Sequence, residues 1–475
     1  TPGCYIKARY VVTIMAALGT INLYLLRNSL NIAIISMVGA KNSSVGMEDQ
    51  NKTESLLNIP TVCPQYQPGE FNWSLAKQGL LLSCYFYGYT AFKMPGAWLS
   101  KQFGIRAPLG ISSLIAAILT ILIPVTSRLS FGLLIAVRVT IGLLQGVTLP
   151  TIMQSIGVWS PPCENTRHLS ISFIGASCGN LITYVAAGLV IWLFGWEWVF
   201  YIAGDYVYFT YAIIAWFLLI YDSPKTHPRI SEQESSYITE SLSEAAPVKS
   251  NPKNVPWRKI LTSKPYLSTV VVHVAENWTL AITHTWVPQY IANVLGYSIE
   301  NVGLLSALPY GLNIISLLGS GILSDFILLK TKIRKTVLRK VKASAGKGIL
   351  ILCDPCLGHD PYFGNRCPTI SLLLIGAYIR TDSGYRVALA DMAPSYMGIM
   401  YAISNTLCCV EALVATQIVG FMLGDGSLSN WRTVFYVTSA ISALGLLVFL
   451  CFGSSELQAW AKSKEKEADI DDKQI

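Results

Sequence analysis

The chain has 475 residues, of which 13% are charged, about half the usual globular share, while 52% are hydrophobic and mean hydropathy is +0.47. A soluble protein of this size cannot hide so much apolar surface, whereas lipid-spanning helices need not, so the composition predicts an all-α integral membrane protein. The same numbers exclude disorder, collagen and a small disulfide scaffold. The net charge of +8 is no argument for nucleic acid, because Lys and Arg stand beside apolar runs where membrane topology accounts for them.

A span needs about 20 apolar residues, and ten runs are long enough. The first, 10–39, carries Arg27 far from either end. At about 100° per residue, Thr20, Tyr24 and Asn31 fall within roughly 60° of it, a polar stripe on an apolar helix. A polar loop follows, with Asn42-Ser-Ser and Asn51-Lys-Thr as glycosylation acceptors; Asn72-Trp-Ser sits closer to the bilayer. The second run, 78–99, holds Lys93 near enough to its end to snorkel. After the third, 107–127, the fourth (129–159) contains Arg138 and, two turns on, Gln145 on the same face. Runs at 169–195 and 198–221 complete six.

A Ser/Glu/Pro-rich stretch then separates these from the remainder. The seventh run, 266–293, places His273, Glu276, Thr283 and His284 within an arc of about 100°. Runs at 301–324, 396–424 and 432–453 follow, with Glu411 inside the second of these. A missing pair is expected between 343 and 392, where only two short apolar pieces occur. Cys353 and Cys356, with His359 and Cys367, match no zinc module, and no metal or other cofactor is expected. The plan is two six-helix halves: 1–221, a cytoplasmic linker 222–265, a second half 266–453, and a cytoplasmic tail 454–475. The sequons place the first loop outside, which puts the termini, Lys101, Arg106, Arg167 and the basic run 330–342 in the cytoplasm, as the positive-inside rule requires.

Charges at mid-bilayer cost about 2.5 to 3.5 kcal/mol on insertion scales and usually face a cavity. Arg27 and Arg138, on separate helices of one half and each without an acid in its own helix, describe a place for an anion, since guanidinium pairs bidentately with carboxylate or phosphate and stays protonated. The bland alternatives are a snorkelling Arg27 and an Arg138 paired with an acid such as Asp205. His273 and Glu276 suit coupling of proton movement to transport, since His titrates near neutral pH and a buried Glu can be shifted there, or equally a polar helix contact. No phosphate loop, HExxH, GxSxG or paired catalytic carboxylates appear, so the chain is not read as an enzyme.

Gly96-Ala-Trp-Leu-Ser-Lys-Gln-Phe-Gly-Ile-Arg106 and Gly319-Ser-Gly-Ile-Leu-Ser-Asp325 resemble the short cytoplasmic motif of major facilitator transporters, once per half. More specifically, the chain resembles the anion:cation symporter family that contains sialin, the vesicular glutamate transporters and the type I sodium/phosphate cotransporters. The residues that carry this are Gly146-Val-Thr-Leu-Pro150, Trp159-Ser-Pro-Pro-Cys-Glu164, Leu169-Ser-Ile-Ser172, Gly195-Trp-Glu-Trp-Val-Phe-Tyr201, Leu305-Ser-Ala-Leu-Pro-Tyr310, Asp391-Met-Ala-Pro-Ser-Tyr396 and Ile403-Ser-Asn-Thr406.

The resemblance implies a twelve-transmembrane-helix major facilitator fold and transport of small organic or inorganic anions by alternating access, driven by protons, sodium or membrane potential. It makes Arg27 and Arg138 the substrate contacts and His273 a counterpart of a seventh-span His in sialin-like members; helical spacing alone adds Tyr24, Asn31 and Gln145 as pocket residues beside the two arginines. The chain departs from the family at Ser100, where the motif has Asp, and at Ile141 and Gln145, where proton-coupled members carry acids. Glu411 stands where the family has small or aromatic residues. Arg339 to Asp391 keeps the family's spacing but not its text, as a compensated frameshift would produce. The competing readings are a transport-dead sensor, a sugar or drug carrier of the same fold and, more remotely, a membrane enzyme.

Overall fold

The computed structural model describes residues 7–39, 69–161, 164–205, 216–244, 256–330, 336–344 and 396–458, with isolated positions between 385 and 393 and residue 460. The Asn42 and Asn51 sequons, most of the stretch expected to hold the ninth and tenth spans, the Cys353/Cys356 pair and most of the tail lie outside them.

Helix α1 (Ala8–Val38) has 31 residues, about 46 Å at 1.5 Å per residue, enough to cross a bilayer with length to spare. The end of the bundle where it starts is called here the near end, and the other the far end. Helix α2 (Leu75–Phe103) returns from far to near, opened by Ser74, whose hydroxyl accepts from Lys77 N. The third span is broken into α3 (Arg106–Ile121) and α4 (Ile123–Leu129), which meet at 51°. The break has a local cause, because Pro124 brings no N–H to the helical ladder. Helices α5 (Phe131–Gln145) and α6 (Thr148–Trp159) form the fourth span, α7 (Asn165–Phe194) the fifth, and α8 (Trp196–Asp205) opens the sixth.

Linker helix α9 (Glu232–Glu244) lies at the near end. Its Glu234 carboxylate accepts from Ala8 N at 3.1 Å and Arg9 N at 3.3 Å, so an acid caps the positive start of α1. The seventh span is α10 (Lys264–Thr285) with α11 (Val287–Asn293); α12 (Ile299–Lys330), α13 (Met397–Met422) and α14 (Leu428–Phe452) follow. Among the described residues, five helices are long and apolar enough to cross a membrane, and the bent α3–α4 pair makes a sixth.

Helix α1 packs against α7, α2 against α5, and α10 against α13 and α14, while α2–α13 and α7–α12 join the two halves. Outward faces are apolar: Phe421 is 71% exposed and Leu447 59%, as helices that face lipid require. Close approach of α2 and α5 depends on Gly88 and Gly142, where a Cβ would run into the backbone of the opposite helix.

The first copy of the short motif is a working joint. Gly104 ends α2 at φ +82°, and the Asp222 carboxylate accepts from Ile105 N at 2.7 Å and Arg106 N at 2.9 Å, capping α3. Arg106 donates to Phe217 O and stacks over Tyr221 at 4.9 Å. Ser100, in place of the motif's Asp, donates to Gly96 O at 3.0 Å and pairs with Thr151, while its carbonyl accepts from Gln154 Nε2.

Candidate functional site

Helices α1, α2, α5 and α10 converge on a space lined by Arg27, Asn31, Tyr85, Phe86, Arg138 and His284, among others. Arg27 projects from α1 into an aromatic cage: its guanidinium carbon lies 4.4 Å from the Phe86 ring centre, 5.6 Å from Tyr24 and 5.7 Å from Tyr85. No acceptor among the described residues takes its donors. Arg138 is 1% exposed and shares the Tyr85 ring, at 5.4 Å. It donates to the carbonyls of Arg27 at 3.2 Å and Leu26 at 3.5 Å, and its Nε has no partner.

Neither arginine forms an ion pair with a described carboxylate; Asp205, the acid considered for Arg138, is exposed. Two like charges thus share one aromatic ring, Arg138 fully buried with a desolvation cost of several kcal/mol and Arg27 partly exposed beside it. The cavity between them measures about 10 Å³, room for about one water. Larger spaces lie elsewhere, one of about 480 Å³ at the near end beside Lys7 and Arg229 and an apolar crevice of about 330 Å³ beside α1, α7 and α8.

Gln145, also buried, accepts from the Tyr85 hydroxyl at 2.6 Å and so orients the ring beneath both guanidinium groups. Asn31 lines the cavity but reaches across to the other half, donating to His284 O at 2.8 Å. Tyr184 on α7 donates to the same carbonyl at 2.5 Å and stacks on Tyr310 of α12 at 5.3 Å. The Tyr310 hydroxyl lies 3.0 Å from His284 Nδ1. Farther out, Gln289 donates to Gln78 at 3.0 Å. These contacts join the two halves on the far side of the arginines.

The seventh-span cluster divides. His284 joins the cavity, whereas His273 lies 11 residues earlier, about 16 Å along α10. There it bonds Ser404 of α13 at 2.6 Å and stacks near Tyr401. Glu276 is 1% exposed, also away from the arginines' cavity. Lys93 does not snorkel: it lies over Tyr89 and donates to Cys409 Sγ at 3.2 Å, linking α2 to α13. Asn277 of α10 uses its amide on α13, donating to Cys408 O at 2.7 Å and to the Glu411 carboxylate at 2.6 Å.

At the far end Arg128 bridges Glu70, at 2.6 and 3.1 Å, and Glu197. Hydrogen bonding to this guanidinium holds the Glu70 carboxyl below the usual carboxylate range.

Tyr85 and Phe86, which line the cavity, and Tyr184 and Tyr310, which brace His284, are not singled out by charge or spacing in the sequence. The signal available for the first two was the run Cys84-Tyr-Phe-Tyr-Gly-Tyr89 at the middle of a span.

A many-helix membrane bundle with an arginine pair unneutralised by any described carboxylate, beside a small cavity where the two halves meet, has the architecture of a secondary carrier. The family model of the Major Facilitator Superfamily matches residues 16–416. Human sialin is 32% identical over 461 residues, covering 96% of this chain and 91% of sialin. Vesicular glutamate transporter 3 of Danio rerio is 31% identical over 464 residues, covering 97% and 75%. Among solved structures, a bacterial homologue of the human lysosomal transporter Spinster, inward-facing and unoccupied, superposes with a TM-score of 0.68 at 14% identity, covering 96% of this chain and all of the other. A D-xylose–proton symporter gives 0.61 at 15%, covering 94% and 99%. The chain belongs to the major facilitator superfamily and, within it, to the anion:cation symporter family, and has that superfamily's twelve-helix fold in two six-helix halves.

Proposed function

We propose that the chain carries small organic or inorganic anions, of the sialate, glutamate, urate or phosphate class, across a membrane by alternating access, coupled to protons, sodium or membrane potential. The observation that carries this is the Arg27–Arg138 pair: a buried guanidinium and a partly buried one over the same Tyr85 ring, with no described carboxylate at ion-pair distance from either. An anion placed there removes the repulsion and offsets the desolvation cost of Arg138. Arg27, caged by rings that leave its donors free, makes the first contact; Arg138, fixed on the α1 carbonyls, makes the second. Tyr24, Gln145 and Asn31 shape the pocket.

Room for about one water does not admit a many-atom anion. Loading therefore requires the halves to part, and breaking the Asn31–His284–Tyr184 contacts opens the far side. His273 and Glu276, on the helix that bears His284, bind or sense the co-transported proton or sodium. The near end is cytoplasmic, with both termini there, and Asn42 and Asn51 carry glycans on the opposite side. The carrier works as a monomer in the lipid bilayer of the plasma membrane or of an endolysosomal or vesicular compartment, the last being the one that the vesicular glutamate transporters carry in their name.

The test is a radiolabelled uptake screen in proteoliposomes, with sialate, glutamate, urate and phosphate at two pH values, with and without sodium. Saturable uptake of at least one anion, inhibited by the others more than by neutral sugars, is expected. Sugar uptake without anion uptake overturns the reading.

A further inference from the structure

A carboxyl that the anion site does not use lies at mid-membrane in the C-terminal half. Glu411 sits near the centre of α13, and its Oε2 accepts from Asn277 Nδ2 of α10 at 2.6 Å. The same amide nitrogen donates to Cys408 O at 2.7 Å. Glu411 Oε1 is buried and has no hydrogen-bond partner, and no described Lys, Arg or His stands at ion-pair distance.

The ionisable groups on the surrounding helices are directed elsewhere. On α2, Lys93 faces Cys409, which at two residues' separation lies on the opposite side of α13, and the Tyr87 hydroxyl accepts from Gln417. On α10, His273 is engaged with Ser404, about two turns nearer the near end, and Glu276 precedes Asn277 and so turns about 100° away from it. On α14, Arg432 and Tyr436 lie toward the far end, beyond Ser442, which meets α10 at Thr279.

An ionised carboxylate facing one neutral amide at this depth is costly, and a bound cation removes the cost. A metal ion of the sodium or calcium kind needs several oxygen ligands. Here Asn277 presents N–H rather than carbonyl, and Cys408 O already accepts that amide. A proton needs only one oxygen, and Oε1 is available.

We propose that Glu411 is a proton-carrying group of the transport cycle, loaded and unloaded as α10 and α13 move past each other. Helix α10 bears His284, whose carbonyl closes the far side, and α13 packs on α2 of the other half, so the proton biases both contacts that alternating access must change. This assignment rests on the transport reading.

Glu411→Gln keeps the shape and fixes the neutral form. In proteoliposomes with radiolabelled sialate and glutamate, it is expected to retain counterflow within about twofold of wild type while accumulation driven by a pH gradient falls at least about tenfold. A folded variant that still accumulates under the gradient, or that loses counterflow as well, overturns the proposal. Wild-type protein that moves neither anion tells against the transport reading instead. A second measurement needs neither transport nor a variant: dicyclohexylcarbodiimide, which modifies protonated carboxyls in apolar surroundings, should label Glu411 of the wild-type protein at neutral pH and less at alkaline pH. Absence of a Glu411 adduct by mass spectrometry across roughly pH 5 to 9 refutes it.

Discussion

Arg138→Met separates what this residue does for folding from what it does for transport. Methionine follows the aliphatic stem and removes the charge. The loss is two donations to carbonyls, at 3.2 and 3.5 Å; bonds to charged groups are worth about 1.5 to 3 kcal/mol each, and the longer one falls at the low end. Both acceptors belong to the interior of α1 and stay within its helical ladder. The gain is release of an ion buried to 1% exposure beside a second guanidinium, a desolvation cost of several kcal/mol. The two effects oppose and are similar in size, so folding stability should change by less than about 2 kcal/mol, or a few degrees in Tm. Transport has no such compensation. Truncating one partner of a buried charge pair costs about 2 to 5 kcal/mol, a fall in uptake of about 30- to 4,000-fold. Thermal unfolding of purified protein, paired with uptake in proteoliposomes, measures both. Near-normal uptake refutes the anion role; a collapse of stability instead makes Arg138 a structural strut.

Asn31→Ala removes one of the two donations to His284 O and should weaken far-side closure by about 1 kcal/mol, a shift of about fivefold. Labelling of a cysteine introduced at the cavity residue Ala281 by a membrane-impermeant thiol reagent should rise accordingly, and unchanged labelling counts against the gate. The Glu70–Arg128 bond gives a signed pH dependence. Because the folded carboxyl titrates below its ordinary value near 4.5, its small contribution is complete above that pH and is lost as pH falls through the lowered value. Melting curves should therefore hold to about pH 5 and decline only in stronger acid, with Arg128→Ala abolishing this component. Gly104→Ala places a Cβ against the Asp222 carboxylate at a φ of +82°, so stability should drop by at least about 1 to 2 kcal/mol, read by thermal unfolding.

Arg27 and Arg138 were legible in the sequence because a charge inside an apolar run is exceptional and its cost demands a reason. The fold was legible for the same kind of cause: runs of span length and a motif repeated once per half. The aromatic cage was not, since Tyr and Phe in a membrane helix are ordinary and nothing local tells Tyr85, beneath two guanidinium groups, from Tyr87, which faces Gln417. Asn31 read as a pocket residue on helical spacing alone; that its amide also holds the two halves together depends on a partner 253 positions away. Spacing on one helix likewise grouped His273 with His284, although an arc describes rotation about the axis and says nothing of height along it. Lys93 read as a snorkeller because its contact, Cys409, belongs to the other half.

The most direct measurement is a structure of the carrier with a transported anion bound, solved by electron cryomicroscopy in nanodiscs. The anion is predicted within hydrogen-bond distance of both Arg27 and Arg138, over the Tyr85 ring, with the cavity enlarged beyond its present one-water volume. An anion held elsewhere, with the two guanidinium groups still side by side and untouched, would contradict the account.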